Sequence, residues 1–187
     1  MTKQELRIRY LDLRKKIAPG QLQILSEKIC QNIFVNFNLE NKIVSLFLPI
    51  ERKNEINTYL IWEKAISFGA KIAIPKVNQE NSEMKHILFE SEDQLEVSKL
   101  GIPEPKKGKI IAADRFDFVF VPLLCADKSG NRVGYGKGFY DKFLKKCSPS
   151  CIFIGINMFD LEEQIDDTIP TDVKIHAYLN ADEIIWF

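Results

Sequence analysis

Short apolar runs constrain the fold of this chain more than any other feature of its sequence. Three of them, at 43–48, 118–124 and 152–156, consist mainly of aliphatic and aromatic residues. Such runs are typical of strands that are buried on both faces of a sheet, whereas a half-exposed strand alternates apolar and polar residues. Helical patterns lie between the runs. The sequence therefore predicts an α/β protein whose mostly parallel central sheet is covered by helices on both faces.

The amphipathic segments predict four helices and further strands. A first helix begins at the capping box that Thr2 and Glu5 form, and Ala18-Pro19-Gly20 separates it from a second. A third helix is predicted from Asn57 to Phe68 and a fourth from Gly138 to Cys147. The remaining strands are predicted at 71–75, 84–90, 94–98 and 175–179.

Length and charge exclude several classes of protein. At 187 residues the chain is expected to form one domain, 1–187. Lys plus Arg equals Asp plus Glu at 26 each, whereas a nucleic-acid binder usually has a basic excess, so no nucleic-acid partner is expected. No apolar run approaches the roughly 20 residues that span a bilayer, and no apolar signal segment opens the chain. We expect a cytoplasmic protein with no membrane partner and reduced cysteines.

Residues 130–141 carry the clearest functional signal, and they read Gly-Asn-Arg-Val-Gly-Tyr-Gly-Lys-Gly-Phe-Tyr-Asp. Alternating glycines let a backbone turn sharply and bring its N–H groups close to a ligand. Consecutive N–H groups form an anion-binding concavity, and a following helix start adds positive potential. With the charges of Arg132 and Lys137, the stretch predicts a polyphosphate-binding loop. Asp141 is placed to hold a divalent metal against the same phosphates.

Two familiar nucleotide-binding motifs do not fit this loop. A P-loop requires Ser or Thr where Gly138 follows Lys137. The dinucleotide fingerprint requires a third glycine where Phe139 stands, and it follows its strand directly. Asp160, just beyond the next strand, keeps a dinucleotide or phosphosugar enzyme open as an alternative. A glycine turn without a ligand is a further alternative, which the clustered cations, tyrosines and carboxylate disfavour.

The chain resembles the 5-formyltetrahydrofolate cyclo-ligases (methenyltetrahydrofolate synthetases) over essentially its full length. The segments that carry the resemblance occur in the family's order: Lys3-x-x-Leu6-Arg7, Leu48-Pro49-Ile50 with Glu55-Ile56-x-Thr58, Gly101-Ile102-Pro103-Glu104-Pro105, the signature within 118–144, and Pro170-x-Asp172. The resemblance implies a three-layer α/β sandwich. It also implies a monomeric, ATP- and Mg²⁺-dependent enzyme that converts 5-formyltetrahydrofolate to 5,10-methenyltetrahydrofolate and releases ADP and phosphate.

The resemblance further implies a role for individual residues. ATP contacts fall on Lys3, Arg7, Arg132, Val133, Gly134, Tyr135, Gly136, Lys137, Gly138, Phe139 and Tyr140. Folate contacts fall on Leu48, Glu55, Tyr135, Gly136, Lys137, Gly138 and Phe139. The expected Mg²⁺ ligands are Asp141 and Asp172, and the expected catalytic residues are Arg132, Lys137 and Tyr140.

Spacing alone assigns the first helix's cations differently. Lys3, Arg7 and Arg14 share one helix side, which is more often a solvated face. The resemblance replaces that interpretation for Lys3 and Arg7, and it leaves Arg14 either to contribute to ATP binding or only to pair with acids. Three positions depart from the family pattern: Lys137 stands at a common glycine, Phe139 at a tyrosine and His176 at an acid. They leave a folate- or nucleotide-binding homologue without turnover as the main alternative function.

Overall fold

The computed structural model describes residues 1–78, 83–98 and 101–187. Its helices are α1 Lys3–Lys15, α2 Pro19–Asn36, α3 Tyr59–Ser67 and α4 Phe139–Leu144. Its strands are β1 Ile43–Ser45, β2 Lys71–Asn78, β3 Glu83–Leu88, β4 Leu95–Val97, β5 Pro103–Pro105, β6 Ile110–Ile111, β7 Phe118–Pro122, β8 Cys125–Ala126, β9 Arg132–Val133, β10 Ile152–Ile156, β11 Ala177–Leu179 and β12 Ile184–Trp186. No helix in these three ranges is long and apolar enough to cross a membrane.

A central sheet organises the described part of the chain. It contains eight strands in the order β12-β11-β10-β7-β1-β2-β3-β6. The five strands from β11 to β2 run parallel. The outer strands β12 and β3 run opposite to them, and β6 pairs antiparallel with β3 and so returns to the direction of the five. The predicted mostly parallel sheet is confirmed. Two short hairpins, β4–β5 and β8–β9, lie outside it.

The central strand β7 shows why helices are needed on both faces. Its residues are buried, and consecutive side chains point to opposite sides of the sheet. Phe118 and Phe120 pack into a core that includes residues of α2 and α3. Val119 and Val121 pack into a second core that includes Phe143 of α4. The predicted layers of helix, sheet and helix are thus confirmed.

Several boundaries differ from the prediction because local hydrogen bonds decide them. β1 ends at Ser45, and 46–48 lead away from the sheet after the Leu46 amide bonds to the carbonyl of Ala73. The fourth helix ends at Leu144 and continues only as a turn. Thr58, not Asn57, is the N-cap of α3, and it anchors the helix by donating its hydroxyl to the carbonyl of Phe47. The antiparallel strand β12 was not predicted.

His86 on β3 is a buried titratable group that links the sheet to α4. Its ring lies 2.8 Å from the hydroxyl of Ser45 and stacks on Phe143 at a centroid distance of 4.0 Å. Burial lowers the pKa of His86 to about 3, from an ordinary value of 6.5. Below pH 6.5 the imidazole of His86 binds a proton in the unfolded state, whereas in the folded state it stays neutral until the pH approaches 3. This group therefore lowers the free energy of unfolding as the pH falls from 6.5 towards 3.

We expect the His86 contribution to reach about 2 kcal/mol between pH 7 and pH 5, at about 1.4 kcal/mol per pH unit below 6.5. The His86→Gln variant should lose this part of the acid sensitivity. Urea unfolding of both proteins at the two pH values measures the difference. His176→Gln, at an exposed position, is the matched control and should keep most of the pH dependence. An unchanged dependence in His86→Gln would contradict the assignment.

Candidate active site

A cavity of about 460 Å³ lies beyond the carboxyl ends of the parallel strands. Its wall includes Phe47 and Leu48, which follow β1, and Pro122, which ends β7. All of the site residues predicted from the sequence line this cavity except Val133. Val133 is buried and packs with Leu6 of α1, so its side chain supports the loop from behind.

The loop predicted at 130–141, called the glycine loop below, makes close contacts with the first helix. Arg7 of α1 donates from Nε to the carbonyl of Gly134 at 3.0 Å. Gly136 adopts a φ of 85°, and a Cβ at this position would lie 3.2 Å from the guanidinium carbon of Arg7. A side chain there would meet both backbone strain and a close contact. Glycine at 136 thus keeps Arg7 close to the loop, on the wall of the cavity.

Two ion pairs lie side by side at one end of the cavity. Arg132 donates to Asp141 at 2.8 Å, and Lys3 donates to Asp172 at 2.5 Å. The amide of Val173 also donates to Asp141, so this carboxylate contacts the residue that directly follows Asp172. Burial acts to raise the pKa of Asp172, but hydrogen bonds from Lys3 and the Ile169 amide outweigh it and lower the pKa. The carboxylate of Asp172 therefore stays ionised.

The donor set at this end fits a magnesium ion that is shared with a ligand. In the described ranges, no cluster of three or more His, Cys, Asp or Glu side chains could hold a metal alone. Within the described residues, the hydrogen bonds made by Asp141 and Asp172 leave Oδ2 of Asp141 and Oδ1 of Asp172 without a partner. Mg²⁺ is commonly held by one or two carboxylates together with water and substrate phosphates. Two open carboxylate oxygens beside a phosphate-type loop match that arrangement.

A buried network connects the glycine loop to Glu55. Tyr135 donates its hydroxyl to Oε1 of Glu55, and Oε2 accepts the amide of Ile50 at 2.8 Å. Arg14 donates to the Tyr135 hydroxyl at 2.9 Å and lies 3.6 Å from Glu55. Arg14 is only 4% exposed, so the solvated-face interpretation is wrong for it. Its charge instead compensates the buried carboxylate of Glu55.

Two buried polar atoms beside the glycine loop have no protein partner in the described part of the chain. They are the hydroxyl of Tyr140 and Nη1 of Arg132. Burial raises the pKa of Tyr140, so its hydroxyl remains a neutral hydrogen-bond donor. Buried donors normally find a partner, and both residues line the cavity. A ligand rich in acceptor oxygens would supply hydrogen-bond partners for both donors.

Sequence reasoning did not assign a role to several cavity residues. Lys53 is the clearest case: its ammonium lies 3.5 Å from the ring centroid of Tyr135, and burial lowers its pKa. The polar character of 49–54 was the available signal for it. The other unassigned lining residues are Phe47, Ile50, Arg52, Pro75, Val77, Met84, Ile102, Pro103, Glu104 and Pro122. Most of them are apolar, and in the sequence an apolar residue that lines a cavity cannot be told from one that lies in the core.

Comparisons with known proteins identify the family to which the chain is similar. The family model described as the 5-formyltetrahydrofolate cyclo-ligase family matches residues 1–177. The mouse 5-formyltetrahydrofolate cyclo-ligase is 27% identical, and the alignment covers 96% of this chain and 88% of the mouse protein. A probable 5-formyltetrahydrofolate cyclo-ligase of Caenorhabditis elegans is 29% identical, with 99% and 95% covered.

A solved structure shares the whole fold. The NMR structure of Aquifex aeolicus 5,10-methenyltetrahydrofolate synthetase superimposes with a TM-score of 0.85 at 26% identity. The superposition covers 100% of this chain and 93% of the Aquifex chain. The family model, the relatives and the solved structure agree with the family that the motifs indicate. The chain belongs to the 5-formyltetrahydrofolate cyclo-ligase family.

Proposed function

We propose that this protein catalyses the ATP- and Mg²⁺-dependent cyclisation of 5-formyltetrahydrofolate to 5,10-methenyltetrahydrofolate, with release of ADP and phosphate. One observation carries the proposal: a single cavity joins two chemically different ends. One end presents cations, glycine backbone and two open carboxylate oxygens, as a nucleoside triphosphate with Mg²⁺ requires. The other presents apolar walls and buried carboxylates, as a flat ring with N–H donors requires.

The proposed reaction activates the formyl oxygen before the ring closes. The γ-phosphoryl group passes to that oxygen, and N10 attacks the activated carbon. The carbon–oxygen bond then breaks, and phosphate leaves with the proton that N10 gives up as the methenyl ring forms. Arg132 and Lys137 stabilise charge on the transferring phosphoryl group, and the neutral hydroxyl of Tyr140 donates a hydrogen bond to it. Mg²⁺ bound by Asp141 and Asp172 supplies further charge neutralisation. Lys3 and Arg7 position the remaining phosphates from the first helix.

The folate end uses the network around Tyr135. Because Arg14 holds the Tyr135 hydroxyl against Glu55, the carboxylate is fixed in direction while its remaining lone pairs stay available to the pterin ring. Leu48 and Phe139 supply apolar contact area, and the backbone of 134–138 separates the two ligands. The proposal treats 1–187 as one domain, since both ends of the chain contribute to the site, and it requires no second subunit.

A direct assay tests this function. Purified protein mixed with 5-formyltetrahydrofolate, ATP and Mg²⁺ should produce the near-ultraviolet absorbance of the methenyl product. Omitting ATP, or adding EDTA in excess over Mg²⁺, should abolish the signal, and added Mg²⁺ should restore it. A folded protein that forms no product contradicts the proposal. Tight folate binding without product would then favour the binding homologue, in which Lys137 and Phe139 have replaced the common residues.

A further inference from the structure

Glu104 is a second buried carboxylate on the wall of the cavity. It lies in the middle of β5 and is only 6% exposed. Within the described residues, its hydrogen bonding is limited to a long contact of 3.4 Å from the Val77 amide to Oε1. Burial raises the pKa of Glu104. Because Glu104 lines the cavity, its second oxygen is open to a ligand, and buried carboxyl groups are normally hydrogen-bonded.

Glu55 has much less open capacity. Its Oε1 accepts the Tyr135 hydroxyl and lies near Arg14, and its Oε2 accepts the Ile50 amide. An ionised carboxylate offers about four lone-pair sites in total. Pairing with two parallel N–H donors requires both oxygens to be available in the same direction. Among the two buried carboxylates of the cavity, Glu104 meets this requirement better.

We propose that Glu104 recognises the 2-amino-4-oxopyrimidine edge of the folate's pterin ring, an inference that rests on the proposed function. This edge carries an exocyclic amine beside a ring N–H, and the two donors point in the same direction. Val77, Met84 and Ile102 line the same cavity and offer apolar surface to the ring faces. A ring that fills this part of the cavity would displace water from it, which strengthens a charge-assisted pair of hydrogen bonds. Glu55 then serves the ring through a single contact and through Tyr135.

The first test replaces the open acceptor with a donor. Glu104→Gln presents an amide N–H₂ towards the two N–H groups of the ring and removes the charge. We expect its Kd for 5-formyltetrahydrofolate to rise by at least about tenfold, while its Kd for ATP stays within about twofold. Titration calorimetry with each ligand alone measures both constants. An unchanged folate Kd would overturn the inference, and so would equal losses for folate and ATP.

Glu96→Gln is the matched control. Glu96 lies directly opposite Glu104 in the β4–β5 register, and its side chain is 49% exposed in an ion pair with Lys76. The same chemical change is thus made on the same hairpin, outside the cavity lining. Its folate Kd should equal that of the wild type. A loss as large as that of Glu104→Gln would assign the effect to the hairpin and overturn the inference.

A modified ligand distinguishes direct contact with the pterin ring from a purely structural role of Glu104, because a structural role would not make binding depend on the 2-amino group. The analogue of 5-formyltetrahydrofolate without the 2-amino group should bind the wild type at least about tenfold more weakly than the parent folate. Glu104→Gln should bind both folates about equally. Retained discrimination in the variant overturns the inference. If the variant does not fold, equal binding of both folates by the wild type overturns it.

Failure of this inference and failure of the proposed function look different. If the wild type forms no methenyl product, the function fails. If the wild type forms product and Glu104→Gln forms it with the same KM for folate, the function stands and the role of Glu104 fails.

Discussion

Replacing Arg132 with alanine is expected to lower kcat/KM for the cyclisation by at least about a hundredfold, or about 2.7 kcal/mol of transition-state stabilisation. The Arg132 side chain is 6% exposed, pairs with Asp141 and has one nitrogen without a partner in the described residues. Its charge therefore faces the place where phosphate oxygens would gather. Alanine removes that charge and leaves Asp141 unpaired. Steady-state rates from the methenyl absorbance measure the loss.

Two controls separate chemistry from folding in this prediction. Arg132→Lys keeps the charge but not the planar fork, so it should fall between wild type and alanine. Arg115→Ala removes an exposed arginine away from the cavity and should leave kcat/KM unchanged. Thermal unfolding confirms that each variant is folded. Wild-type kcat/KM in a folded Arg132→Ala protein would refute the assignment of Arg132 to phosphoryl transfer.

Replacing Arg14 with alanine is expected to reduce the free energy of unfolding by about 3–5 kcal/mol, the usual result of removing one partner from a buried ion pair. Arg14 also donates to the carbonyl of Leu123 at 2.6 Å, which would be left unpaired. With Arg14 gone, Glu55 becomes an uncompensated buried charge and Tyr135 loses one hydrogen bond. The KM for folate should rise as well. Urea unfolding and steady-state kinetics measure the two effects.

Arg9 on the same helix provides the comparison for Arg14. Its side chain is 50% exposed and pairs with Glu162 at 2.9 Å. Because such exposed pairs contribute little, Arg9→Ala should cost only about 0–1 kcal/mol. If both alanine variants lost the same stability, the buried network would not have the importance proposed for it.

The sequence predicted the centre of the fold better than its margins. Buried parallel strands produce continuous apolar runs, so β10 was located residue for residue and β7 was located with its end two residues too far. Strands of two or three residues, such as β6, β8 and β9, have no periodicity to detect. β12 was missed for the same reason. β1 was predicted too long because the apolar residues 46–48 continue into the cavity wall, where burial does not require a strand.

The site could be predicted where residues with phosphate-binding chemistry are clustered in a short segment. Glycines, cations and the carboxylate of Asp141 in 130–141 indicated a phosphate loop, and the resemblance added Lys3, Glu55 and Asp172. Arg14 could not be assigned, since helix periodicity places it on the same side as Lys3 and Arg7 but does not reveal that Glu55 covers it. Apart from Leu48 and Phe139, which the resemblance supplied, the apolar wall residues could not be recognised as site residues, because the same side chains line a cavity and fill a core.

The first helix completes the cavity through contacts that are very distant in the chain. Lys3 bonds Asp172 across 169 residues, and Arg14 bonds Tyr135 across 121. Contacts of this kind bring together residues that are made far apart in time, and closing the loop between them carries an entropic cost. A growing chain on the ribosome contains the whole glycine loop before it contains Asp172. Its phosphate end can therefore close only after Asp172 has been synthesised, so that a chain that stops before Asp172 has the loop but not the site.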